Sequence, residues 1–176
     1  LSELEYLEGV LHQLENSDSV QEIEEIKEEL IEQGYVSSRK KANQKKKNDK
    51  VTVPMHFKSS EGTDIYVGKN NRQNDLLTMK HASSADIWLH ARNIPGSHVI
   101  IRKLQKSISE NTLLEAAILA AYYSKAKMSS TVPVDYTEVR NVKKPPGAKP
   151  GMVIYDNFKT IIVTPDESVV RKLKQQ

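Results

Sequence analysis

Leu4, Leu7, Leu11 and Leu14 recur at 3-4-3 spacing, the narrow seam of a helix that packs against one other helix. The stretch ENSDSVQE at 15–22 interrupts this seam. Ser19 and Glu22 have the spacing of a capping box, which predicts a second helix starting at Val20, seamed by Ile23, Ile26 and Leu30, and stopping at Gly34. Residues 1–36 therefore read as a helical hairpin, or as the return end of a longer coiled coil. Residues 37–50, SSRKKANQKKKNDK, hold almost nothing apolar and read as a linker.

From residue 51 the pattern shortens to strand-like runs. PMHFKS and TDIYVG flank SEGT as a hairpin, and Asn70 or Asn71 caps a helix that carries Leu76, Leu77 and Met79 inward. The stretch SENTLLEAAILAAYYSKAK, rich in Ala and Leu and apolar around most of its circumference, is the expected central buried helix. Three further strands are expected in VDYTEVRNV, GMVIYD and KTIIVTP, around a Pro- and Gly-rich loop at 144–151, and DESVVRKLKQ closes as a short helix. Strands that outnumber helices and lie close in sequence predict an α+β domain over 51–176 with a largely antiparallel sheet.

Composition narrows the chemistry. With no cysteine among 176 residues, disulfides, thiolate-ligated zinc, iron–sulfur clusters and thiol nucleophiles are excluded, and no apolar run approaches the ~20 residues of a membrane span. The net charge of +3 conceals an asymmetry: residues 1–35 hold eleven acids against Lys27 alone, a charge of −10, so the remainder carries +13. Such a division points to two segments with different partners, the second polyanionic. In the linker Arg39, Lys40, Lys41, Lys45, Lys46 and Lys47 are either solvated tether residues or phosphate contacts that follow RNA without reading its sequence.

Residues 86–102, DIWLHARNIPGSHVIIR, concentrate the candidate chemistry. Strand alternation puts Trp88, His90 and Arg92 on one face and Ile87, Leu89 and Ala91 on the other. Beyond the NIPG turn, His98, Ile100 and Arg102 share a face opposite Ser97, Val99 and Ile101. Asp86 is the only nearby carboxylate and no HExxH or His-x-His spacing occurs, so no metal ligand set is expected. Ser97 and His98, as strand neighbours, point to opposite faces, so no nucleophile pair is expected either. The surviving alternatives are hydrogen-bonded structural histidines with Trp88 as a core anchor, or an RNA surface in which bases stack on Trp88 while Arg92 and Arg102 grip phosphates. Two other stretches share the second chemistry. GKNNR supplies Lys69, Asn70 and Arg72 at a helix start, and VKKPPGAKPG displays Lys143, Lys144 and Lys149 on a stiff loop.

The ordered set GKNNRQNDLLTMKHA, DIWLHARNIPGSHVIIR, TLLEAAILAAYYSKAK, VDYTEV and KKPPGAKPGMVIYDNFKTIIV resembles the NFACT-R domain of the NFACT proteins over about residues 51–165. Asn93 stands where Asp is common in that family, and Lys69 where Arg is usual. The resemblance implies a non-enzymatic, cofactor-free RNA-binding domain from a cytoplasmic ribosome quality-control factor that engages tRNA and stalled large ribosomal subunits. Residues 1–35 would be the end of the coiled-coil middle domain, and an NFACT-N half would be the partner on its amino-terminal side. The competing implication is an adhesin module for fibronectin or fibrinogen, displayed at the cell surface without a signal peptide.

Overall fold

The computed structural model describes residues 2–38 and 52–175. The linker cations Arg39, Lys40, Lys41, Lys45, Lys46 and Lys47 lie outside the described residues. Helices α1 (Ser2–Glu15) and α2 (Val20–Glu32) form the hairpin. Ser19 caps α2 by accepting from the Glu22 amide, and the chain leaves the helix through Gly34 at φ +83°.

Strands β1 (Met55–Lys58), β2 (Asp64–Val67), β3 (Ile87–Ala91), β4 (Val99–Ile101), β5 (Val132–Glu138) and β8 (Lys159–Val163) make one antiparallel sheet in the order β1-β2-β4-β3-β5-β8. The expected β1–β2 hairpin pairs Phe57 with Ile65, and the β3–β4 hairpin pairs Trp88 with Ile100. Asn93, in the turn that leaves β3, has φ +56°, a left-handed conformation that short polar Asn and Asp tolerate best.

On one face of this sheet lies α4 (Glu110–Tyr122), with α5 (Glu167–Leu173) beside it. Ala116, Ala117, Leu119, Ala120 and Ala121 of α4 join Leu89, Val99 and Ile101 in the main core, so the Ala- and Leu-rich stretch is the central buried helix. Ser109 caps it, accepting from the Thr112 amide. Small side chains along α4 let its backbone approach the sheet closely.

The opposite face is covered as well. Asn70 caps the short α3 (Asn71–Asp75), which continues into a π-helical segment, Leu76–His81. A two-stranded sheet of β6 (Val142–Lys143) and β7 (Ile154–Tyr155) lies alongside. Leu77, Trp88, Ile100, Val139 and Val142 form a second core beneath this layer. The molecule is thus three-layered around one sheet.

Two details of the hydrophobic reading change. Leu4, Leu7, Leu11 and Leu14 are exposed, and α1 buries Tyr6, Val10 and Gln13 instead. On α2 Ile26 is buried but Ile23 is exposed, and the buried stripe is otherwise Glu22, Glu25 and Glu29. The hairpin turns these faces inward because its neighbour in the fold is the polar start of α3, where carboxylates find donors that leucines would leave unpaired. Met79, expected inward, is exposed, whereas Leu77 is buried.

Candidate nucleic-acid interface

The pleat sorts residues 86–102 as alternation requires, yet the Trp88 face is interior. Trp88 is 1% exposed, flanked by Tyr155 at 4.6 Å, His98 at 5.5 Å and His90 at 5.8 Å between ring centroids. No ring face is left for a base. The expectation of stacking at Trp88 gives way to core anchoring because β6–β7 and the π-helical segment roof that side of the sheet.

His98 is buried with it. Its Nδ1 accepts from the Thr78 hydroxyl at 2.8 Å and its Nε2 donates to the Gly151 carbonyl at 3.1 Å, which fixes the neutral tautomer. Burial, reinforced by neighbouring His90, pushes its pKa down from 6.5 to about 3. Burial also lowers His90, whose Nδ1 lies 2.6 Å from the Ala91 carbonyl. Neither imidazole therefore brings positive charge to a phosphate at neutral pH, and both serve as packed, hydrogen-bonded supports of the turn. Among the described residues no group of three His, Asp or Glu side chains is placed to hold a metal ion.

The GKNNR stretch meets an anion, but an intramolecular one. Lys69, 16% exposed at its side chain, lies 2.8 Å from both Asp18 and Glu22. Burial opposes its charge, but the hydrogen bonds and charges of these two carboxylates outweigh it and hold its pKa up. Asn70 donates to Glu25 at 2.8 Å, while Asn71 donates to Glu29 at 2.9 Å and accepts from Gln13 at 2.7 Å. Arg72 reaches Glu28 at 3.0 Å and Glu32 at 2.8 Å. Thr52 donates both its amide and its hydroxyl to Glu25. Burial raises the pKa of Glu29, which also accepts from the Tyr6 hydroxyl at 2.7 Å. The acidic face of α2 thus fills the socket expected to hold phosphate, as the asymmetry of charge between the segments permits.

The 144–151 loop is drawn into the same arrangement. Lys144 bonds Asp75 at 2.8 Å, and Lys149 sits over the rings of Tyr6 and Tyr35 at 5.1 and 5.2 Å. Gly151, at φ +77°, leaves room for Asn71: a Cβ there would fall 2.2 Å from the Asn71 amide oxygen.

Arg92 and Lys143 remain exposed, Arg102 is half-buried beside Asp86 and the His81 carbonyl, and the three do not form one patch. Arg92 and Arg102 sit at opposite ends of the β3–β4 hairpin. Arg92 is 47% exposed at its side chain, with its guanidinium 5.9 Å above the ring of Phe158 and its Nε 4.0 Å from buried Asp135. Phe158, itself 40% exposed, packs edge-on against Tyr155 at 5.2 Å. Tyr155 donates to Asp135 at 2.6 Å, and its hydroxyl pKa is raised by burial and by that bond. Lys143 projects outward from β6 opposite exposed Ile154, and exposed Lys159 follows Phe158 in the chain. An exposed ring held under a guanidinium, with an exposed lysine next in the chain, is chemistry that single-stranded RNA meets on a protein. Phe158 is absent from the sequence-based expectations, and its signal is an aromatic set between polar Asn157 and Lys159; in the structure Asn157 turns the chain there at φ +48°.

Residues 53–157 match the family model described as the NFACT protein RNA binding domain, and residues 1–49 match that of the NFACT N-terminal and middle domains. The chain is 51% identical to the Rqc2 homolog RqcH of Bacillus subtilis and 44% identical to that of Streptococcus suis, in each case over 98% of this chain and 30% of the relative. The ribosome quality control complex subunit 2 of Schizosaccharomyces pombe is 40% identical over 43% of this chain and 8% of its own length. The solved C-terminal part of the fibronectin/fibrinogen-binding protein from Streptococcus suis superposes with a TM-score of 0.89 at 43% identity, covering 99% of this chain and 69% of that one. The chain thus spans less than a third of the bacterial relatives it matches.

Proposed function

The chain belongs to the NFACT family, and from that membership we propose that it is a non-catalytic module that holds tRNA and ribosomal RNA for a ribosome quality-control factor. The observation that carries the reading is the exposed Phe158 ring under the Arg92 guanidinium, immediately after the region 53–157 that the RNA-binding model matches and that holds Arg92 and exposed Lys143. The half-buried His90 and the buried His98, with pKa values lowered so that both stay neutral, support a role without bond-making chemistry. In this reading residues 1–36 end a coiled-coil domain, 37–50 form a basic tether whose lysines add sequence-independent phosphate contacts, and 51–176 form the RNA-binding domain. The module works on ribosomes in the cytoplasm beside an NFACT-N half.

Parallel titrations with tRNA, large ribosomal subunits and fibronectin at several salt concentrations test it. RNA and ribosome affinities that fall linearly with salt on logarithmic axes are the expected result. Tight fibronectin binding without RNA binding would reverse the proposal in favour of an adhesin, the activity in the name of the solved relative.

A further inference from the structure

Resting on the RNA-binding reading, we propose that a groove at the β1–β2 end of the sheet receives one unpaired base of the bound RNA. The groove has a volume of about 510 Å³ and lies on the Trp88 side of the sheet, beside the π-helical segment. That volume falls within the ~300–1,000 Å³ of sites that enclose small organic ligands. Leu76, Leu77 and Tyr66 line it on the folded side, and Val53 and Leu104, each 82% exposed, flank it toward solvent.

Its polar groups suit a nucleotide. The Tyr66 ring stacks on His56 at 4.8 Å and 13°, and His56 is bonded to Asp64 at 2.7 Å, so the aromatic wall is already fixed before a base packs there. Arg102 lines the same groove, its guanidinium steadied by the His81 carbonyl at 2.9 Å and by Asp86 at 3.6 Å. A planar cation beside an apolar slot matches a phosphate beside its base. The basic segment 37–50 leads directly in the chain to Thr52 and Val53, which wall the groove.

The neighbouring sheet edge argues against an extended peptide as occupant. Lys174 bridges Phe57, and the Gln175 amide donates to the His56 carbonyl at 3.2 Å, so an incoming strand does not find the outer side of β1 free. A base within a duplex stays stacked between its neighbours and does not enter a slot of this depth. The groove therefore selects single-stranded, looped or end nucleotides.

The test compares a short single-stranded RNA carrying one 4-thiouridine with the fully paired duplex of the same sequence, titrated against the whole chain. Val53→Glu and Leu104→Glu place a charge in the mouth at exposed positions that the fold does not need. Met128→Glu, at a side chain 93% exposed and outside the groove, controls for charge alone. Each groove variant should lose about tenfold in single-strand affinity, the scale of one base contact, while duplex affinity and the Met128 variant stay close to the parent. Photocrosslinking should map to the peptides containing Tyr66 or Leu104. Full single-strand affinity in both groove variants, an equal loss in the Met128 variant, or displacement by an apolar peptide but not by RNA would overturn the groove and leave RNA binding elsewhere standing. Absence of RNA binding by the parent chain would overturn both readings.

Discussion

Removing the Trp88 ring should act on stability and not on recognition. Trp88→Ala empties the second core between Leu77, Ile100 and Val142, and we expect a loss of ~3–5 kcal/mol in denaturant unfolding, with the remaining folded fraction binding RNA as before. A variant of unchanged stability that binds RNA weakly would return Trp88 to the interface. His98 gives a pH signature. Its pKa falls from 6.5 in the unfolded chain to about 3 on folding, so its stabilising contribution is present above pH 6.5 and is lost as pH drops toward 3, at about 1.4 kcal/mol per pH unit. Glu29, with a raised pKa, acts in the opposite direction: the folded state gains relative stability as acid protonates it. The diagnostic is therefore the difference in slope between the parent and His98→Asn across pH 4–6.5, and equal slopes would show that His98 does not stay neutral. The pleat that groups Trp88 with His90 was legible in the sequence. What roofs that face was not, because alternation shows which side chains share a side of a strand and is silent on whether water or another layer lies beyond it.

At the scale of elements, the dock of α2 on α3 separates two kinds of ion pair. Arg171 and Glu167 of α5 are both well exposed and should couple by only a few tenths of a kcal/mol. Lys69 and Glu22 are largely shielded, and a double-mutant cycle on them should give ~1 kcal/mol or more, with faster hydrogen exchange in α2 for each single variant. Coupling no larger than that of the α5 pair would make the dock incidental. The ends of α2 could be read from Ser19, Glu22 and Gly34 because caps are local chemistry. Its buried face could not. Glu25 and Glu29 are satisfied in the interior by donors distant in the chain, Thr52 and Asn70 for Glu25 and Tyr6 and Asn71 for Glu29, and a buried carboxylate has no periodic signal of its own. The leucine spacing in α1 was equally real, yet the face it marks is open to solvent among the described residues.

For the whole molecule, the −10 and +13 segments were legible as unlike in charge, and the structure shows that part of each neutralises the other within one chain. Of the cations expected on RNA, Lys69, Arg72 and Lys144 are closely paired with carboxylates, Arg102 and Arg92 lie farther from theirs, at 3.6 Å from Asp86 and 4.0 Å from Asp135, and Lys149 lies over the hairpin's tyrosines. In the proposed reading, recognition falls to Arg92, Lys143 and the exposed Phe158 ring and to Arg102. The most direct test is the salt dependence of tRNA binding for Arg92→Gln/Lys143→Gln beside Lys69→Gln/Arg72→Gln, with folding of each checked by thermal unfolding. The first pair should weaken binding and reduce the logarithmic salt slope by ~1.4–1.8, the release expected from two phosphate contacts, while the second leaves the slope unchanged. A reduced slope for Lys69→Gln/Arg72→Gln, with Arg92→Gln/Lys143→Gln binding like the parent, would contradict the assignment and place RNA in the socket that α2 fills.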